Sequence, residues 1–133
     1  MAGVSIQQPV RDGAEMLRRL DPARMPGRWV FRSVSPGDLP ALADRMQALF
    51  REPEGPSVLL PATQGDRDAM AQITLQVHSA LDGVGLTAAV SGALAGAGIP
   101  CNIIAATRHD HIFVPEDRAA EALEILHALS RSS

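Results

Sequence analysis

Between residues 71 and 97 the spacing of apolar side chains changes from two residues to about 3.6, and this change limits the fold more than any other feature of the chain. Over 71–78, Ile73, Leu75 and Val77 alternate with Gln72, Thr74, Gln76 and His78, the pattern of a half-solvated strand. Leu86, Ala89, Val90, Ala93, Leu94 and Ala97 then recur at helical spacing, with Gly98 placed as a C-terminal stop. Residues 101–107 read as a second strand, Arg108, His109 and Asp110 as a turn, and Ile112, Phe113 and Val114 as a third strand. Pro115, Glu116 and Asp117 open a last helix, acidic in its first turn, with Ala119, Ala122, Leu123, Leu126 and Leu129 on one face. In the order β-α-β-β-α, the right-handed crossover makes the first two strands parallel, and the third fits antiparallel between them. The expected class is α+β, a ferredoxin-like arrangement with an antiparallel sheet and helices on one face. Its last strand is missing after Leu129, so a strand of the first half is expected to supply it.

The first half is less regular. Residues 1–13 show no sustained period and are expected to be a flexible leader, and 14–20 are ambiguous between helix and strand. Residues 28–34 alternate as a strand. Leu39, Leu42, Ala43, Met46 and Leu49 predict a helix over 38–50, stopped by Pro53, Gly55 and Pro56, and 57–60 read as a short strand. A polar stretch at 62–70 separates the halves, giving a subdomain over 14–68 and another over 69–133 that interlock to close the sheet.

At 133 residues the chain suits one compact domain, and with Trp29 and three Phe as its only aromatics the core must be Ala, Val, Leu and Ile. A net charge of −3, with no basic run beyond Arg18-Arg19, lacks the footprint of nucleic-acid binding. A lone cysteine, Cys101, and the absence of a basic-then-apolar leader predict a cytoplasmic protein. Residues 83–107 carry no charge and are long enough to span a bilayer, but Gly98-Ile99-Pro100 and the change of period read as a helix followed by a buried strand, not a membrane span.

Topology brings the chemistry to one edge of the sheet. His78 and Ser79 end the first strand there, beside the Asp82–Gly83–Val84–Gly85 loop and the turn at His109, Asp110 and His111. Backbone amides of the loop and the helix start suit a carboxylate, and Asp110, read as a turn residue outside the apolar alternation, suits an ammonium or basic side chain. Together they would recognise an amino-acid zwitterion. His78, His109, Asp110 and His111 also allow a metal reading, although His109 and His111 share one side of an extended strand and Asp110 takes the other. Catalytic patterns are missing: Ser91-Gly92 is no nucleophile elbow, and Gly92, Gly96 and Gly98 fall late in a helix rather than after a strand. A structural or interaction module without a ligand is the remaining alternative.

The stretches Ile73-Thr-Leu-Gln-Val-His-Ser, Leu81-Asp-Gly-Val-Gly-Leu-Thr-Ala-Ala-Val, Ala97-Gly-Ile-Pro-Cys-Asn-Ile-Ile and His109-Asp-His-Ile-Phe-Val-Pro resemble ACT domains of the aspartate-kinase and arginine-sensor kind. Pro26-Gly-Arg-Trp-Val-Phe and Phe50-Arg-Glu-Pro-Glu-Gly resemble the companion region that precedes the domain in small bacterial stand-alone ACT proteins. The resemblance implies two interlocked ACT-like subdomains in a non-catalytic, cofactor-free regulatory module. Its expected partners are an amino acid or similar small molecule and a second copy of itself, as a homodimer or higher homo-oligomer. It implies ligand contacts from Asp82, Gly83, Val84 and Gly85 and from Asp110, with Thr107 and His111 beside them. These residues carry no recognisable kinase, dehydrogenase or other effector pattern, so the resemblance implies the binding and not what it regulates.

Overall fold

The computed structural model describes residues 8–133, which run through α1 (Gly13–Arg18), β1 (Pro22–Arg24), β2 (Trp29–Ser33) and a 3-10 turn leading into α2 (Leu39–Leu42). There follow β3 (Ala48–Glu52), β4 (Gly55–Pro61), β5 (Met70–Leu75), α3 (Leu86–Gly96), β6 (Asn102–Ala105), β7 (Asp110–Pro115) and, after a second 3-10 turn, α4 (Ala119–Arg131). One antiparallel sheet runs β3-β4-β2-β5-β7-β6, and β1 joins it on β5. The third strand of the second half lies between the other two, as the crossover argument requires.

The strand missing from the second half is β1. Pro22, Ala23 and Arg24 pair with Leu75, Thr74 and Ile73, while β2 meets β5 through the single pair Trp29–Met70. Pro22 opens its strand, where a missing N–H is tolerated. On one face of β5 and β7, Ala71, Ile73, Leu75, Ile112 and Val114 are buried against Leu86, Val90 and Leu94 of α3 and Ala119, Ala122 and Leu126 of α4. Met16 of α1 closes this core. Gly98 ends α3 as its place predicts: at φ 71° it lets the Ile99 amide reach back to the Leu94 carbonyl at 3.0 Å.

Three expectations are corrected. The helix over 38–50 stops at Leu42, because α2 has no buried residue to hold it, and residues 48–52 pair with β4 instead. Gly55, φ 132°, turns that hairpin. The leader is docked where it is described: Val10 forms a parallel bridge to Ser79, its amide donating to His78 O at 2.7 Å and its carbonyl accepting from Ala80 at 2.9 Å. Residues 1–7 of that leader lie outside the described residues. Thirdly, the polar face of β5 is not solvated, since Gln72 and Thr74 are only 5% and 6% exposed. The sheet curls over that face, bringing Gln47 at the entry to β3 to Gln72 at 2.6 Å and Phe31 edge-on to Phe113 with ring centroids 6.0 Å apart.

Charge pairs tie the curled sheet's two halves. Arg28 holds Glu116 through two bonds of 2.6 and 3.0 Å, and the guanidinium keeps that carboxyl below its usual range. Arg32 bridges Asp66 and Asp68 in the connecting loop. Among the described residues no helix is long and apolar enough to cross a membrane, and 83–107 divide into α3 and β6.

Candidate functional site

The loop from Ser79 to Gly85, separated from the end of β5 by three residues, delivers the chain into α3. Gly85 stands at the helix N-cap with φ 104°, a left-handed conformation that costs a side chain strain, and it offers no side-chain cap to the first helical amides. Those amides and the positive end of the helix dipole remain available to an anion. Gly83 serves a different need. A Cβ there would meet Met16 Cε at 2.9 Å, Ala80 O at 3.1 Å and Arg11 O at 3.3 Å, so the loop can lie on α1 and the leader only without one. Gly13 meets the loop from the other side, where a Cβ would overlap the Val84 carbonyl oxygen.

Beneath this loop is a small cleft of about 70 Å³, walled by Met16, Leu86 and Ala105 and by the polar groups of Ser79, Thr87 and Asp110. Asp110 is buried, and the Ser79 hydroxyl donates to its carboxylate at 3.1 Å. The sequence pattern places Asp110 in a turn. It is instead the first residue of β7, paired with Leu75 on one side and Ala105 on the other, so period two governs its direction. Consequently Asp110 faces the cleft and His111 faces the opposite side of the sheet, toward Thr74 and Gln72.

Of the residues singled out from sequence, Gly83 and Asp110 line the cleft. Asp82 and Thr107 line a neighbouring open cavity of about 340 Å³ with Arg11 and His78, and Asp82 pairs with the exposed Arg11 at 3.2 Å. Val84 points outward, 81% exposed, and Gly85 caps the helix without lining either space. His111 does not join the cleft. Ser79, Leu86, Thr87 and Met16 also line the cleft, and the sequence pattern alone does not mark them as ligand contacts. Ser79 is visible to topology as the end of the strand expected over 71–78, whereas Met16 needs the docking of α1, which no periodicity announces.

Among the described residues no group of three or more His, Cys, Asp or Glu is placed to hold a metal ion. His109 and His111 lie near each other, with ring centroids 6.4 Å apart, but Asp110 projects from the other face of the same strand. Burial pushes the His111 imidazole below its usual range, His109 adds to the effect and Asp110 opposes it. Burial also pushes the Cys101 thiol up, away from the reactive thiolate.

A family model described as an ACT domain matches residues 70–128, from β5 into α4. A protein of unknown function from Vibrio cholerae, described as a possible transport protein, is 39% identical, covering 85% of this chain and 92% of its own, with a TM-score of 0.73. The chain belongs to the ACT-domain family. Aspartokinase alpha and beta subunits share its fold at 17% identity and a TM-score of 0.62, over 81% of this chain and 95% of theirs. The ligand-free regulatory subunit of aspartate kinase from Thermus thermophilus does so at 12% identity and 0.59, with the same shares covered. No curated protein matches the chain. The ACT domain is a regulatory module that generally binds small molecules, and in this chain every residue of the cleft beneath the Ser79–Gly85 loop except Met16 lies within the matched segment.

Proposed function

We propose that this ACT protein is a non-catalytic cytoplasmic sensor whose cleft takes the zwitterionic head of an amino acid or a chemically similar small molecule, with no cofactor. The observation that carries the reading is the pairing of opposite affinities in one small space. A buried carboxylate, Asp110, suits an ammonium, and the uncapped start of the eleven-residue α3 suits a carboxylate. At about 70 Å³ the cleft has room for the head group and leaves the side chain to project past Leu81 and Val84. Those two side chains, 71% and 81% exposed, support a second part of the reading, that another copy of the chain covers the cleft mouth in a homodimer. The companion half, residues 14–68, then supplies β1 and buttresses the sheet.

The test is thermal denaturation of the protein with each amino acid and a set of nucleotides. A ligand at 100 times its dissociation constant raises stability by about 2.7 kcal/mol. Asp110→Asn keeps the side chain's shape and its bond to Ser79 while removing the charge, and is expected to weaken binding by roughly ten- to a hundredfold. Gly85→Ala, strained at φ 104°, is expected to impair binding as well. Unchanged affinity in Asp110→Asn places the ligand elsewhere. A blank screen, with light scattering still above the 14.1 kDa monomer mass, favours an interaction module without a ligand.

A further inference from the structure

The cleft leaves unexplained the buried polar line on the concave face of the sheet. Four side chains from β3's entry, β5 and β7 form an unbroken chain: Gln47 Nε2 to Gln72 Oε1 at 2.6 Å, Gln72 Nε2 to Thr74 Oγ1 at 3.0 Å, and Thr74 Oγ1 to His111 Nδ1 at 2.9 Å. Gln72 Nε2 also lies 3.3 Å from that same Nδ1. Gln72 and Thr74 are buried, so neither can exchange a lost partner for water. The direction of the chain follows from its end. Gln72 Nε2 can only donate and faces both Thr74 Oγ1 and Nδ1, so Nδ1 accepts, the Thr74 hydroxyl turns its proton toward it, the ring is neutral, and its own proton sits on Nε2.

The geometry points to a proton-operated hydrogen-bond switch joining the two halves of the sheet, in which uptake of one proton by His111 reverses every bond of the chain out to Gln47. A proton from solvent on Nδ1 turns that atom into a donor. Thr74 Oγ1 then accepts from it and must give its own proton elsewhere, and the Gln72 amide nitrogen, 3.3 Å from Nδ1, faces donor against donor. Rotating the Gln72 amide by half a turn relieves both conflicts, since Thr74 then donates to Oε1. The rotation sets the Gln72 nitrogen against the nitrogen of Gln47, whose amide must turn in its place. Gln47 can do so because it is exposed. After reversal Nδ1 donates to Thr74, Thr74 to Gln72 and Gln72 to Gln47, so the line has as many bonds as before and no orphaned group. Two satisfied states differing by one proton are the requirement for a switch.

The groups that set its threshold are few. His109 lies on the same side and opposes a second positive charge, and Asp110 next in the chain favours it from the opposite face. Across the ladder His111 faces Thr74 on β5 and Ile104 on β6, and Thr74 faces Ala23 on β1, so none of these partners brings another charge; Arg24 of β1 pairs with Ile73, whose side chain takes the other face of β5. The far end is read out in the first half, where the backbone N–H of Gln47 donates to the Leu59 carbonyl at 2.8 Å, at the base of the β3–β4 hairpin.

The experiment is an NMR titration of the labelled protein from neutral to acid pH, following the His111 ring and the side-chain amides of Gln72 and Gln47. The expected result is a single shared midpoint for all three, with His111 Nδ1 passing from an acceptor to a protonated shift. In Thr74→Val, His111 still titrates but Gln47 stops following it, and Thr74→Ser restores the coupling. Should Thr74→Val fail to fold, His111→Gln must abolish the pH response of both amides. A Gln47 amide that stays still in the wild type overturns the proposal. So does one that follows His111 undiminished in Thr74→Val, or a His111 that takes up no proton before acid unfolding.

Discussion

β2, α2, β3 and β4 follow one another as β5, α3, β6 and β7 do, and in each set the last strand lies between the other two. What fills the two sets differs. α3 runs eleven residues and buries Leu86, Val90 and Leu94, whereas α2 is four residues long and buries none. Where β7 begins with Asp110, β4 begins with Gly55. The first half also leaves Phe50 73% exposed on the edge strand. One strand order therefore serves two ends: with a deep helix it makes a core and a polar cleft, and without one it makes a wall. The chemistry of binding follows the helix, because only a helix of several turns presents both a buried stripe and a field at its start.

The sharpest way to break this contrast is truncation. Leu94→Ala, at a position with no exposure, is expected to cost about 2–5 kcal/mol in urea unfolding, while Phe50→Ala changes stability by less than about 0.5 kcal/mol. Equal costs would mean that the edge of the first half is buried in solution. A smaller effect separates the two helices. A Cβ at Gly92 on α3 meets nothing within 4 Å, and Gly92→Ala is expected to stabilise by about 0.5–1 kcal/mol. Gly37→Ala, at the entry to α2, where a Cβ makes only an ordinary contact with Ser35, is expected to give much less, because little helix follows it. A matching gain there would show α2 to be longer in solution than four residues. The smallest effect is acid sensitivity from His111. Its folded-state pKa is lowered, so the unfolded chain takes the proton first. Stability is then level above the unfolded imidazole value and declines as pH falls from there toward the folded value. His111→Gln should flatten that part of the pH–stability curve, and a slope that survives the substitution would belong to other groups.

The second half was legible because each of its elements carries a strong period and a terminator: Ile73, Leu75 and Val77 for the strand, Leu86 to Leu94 for the helix, Gly98 for its end. The first half was misread where local pattern and tertiary partner disagree. Met46 and Leu49 keep helical spacing, yet β4 offers residues 48–52 a ladder and nothing offers them a groove. The site was legible as a place and less so in its members. Asp110 and His111 appear together only while they are read as a turn; once Asp110 pairs with Leu75, adjacent residues take opposite faces. The burial of Gln72 and Thr74 depends on how far a sheet curls, which alternation along one strand does not encode.

The pairing of β1 with β5 also carries a consequence in time. During synthesis at about 5–20 residues per second, Arg24 leaves the ribosome roughly three to ten seconds before Leu75, and until then β1 has no strand to lie on. The hairpins among β2, β3 and β4 can close in that interval, but the sheet of the second half cannot be completed by its own residues as they appear. It closes on a segment made earlier and held unpaired until β5 emerges. That β1 is only three residues long and begins with Pro22 keeps this waiting edge from recruiting other nascent chains.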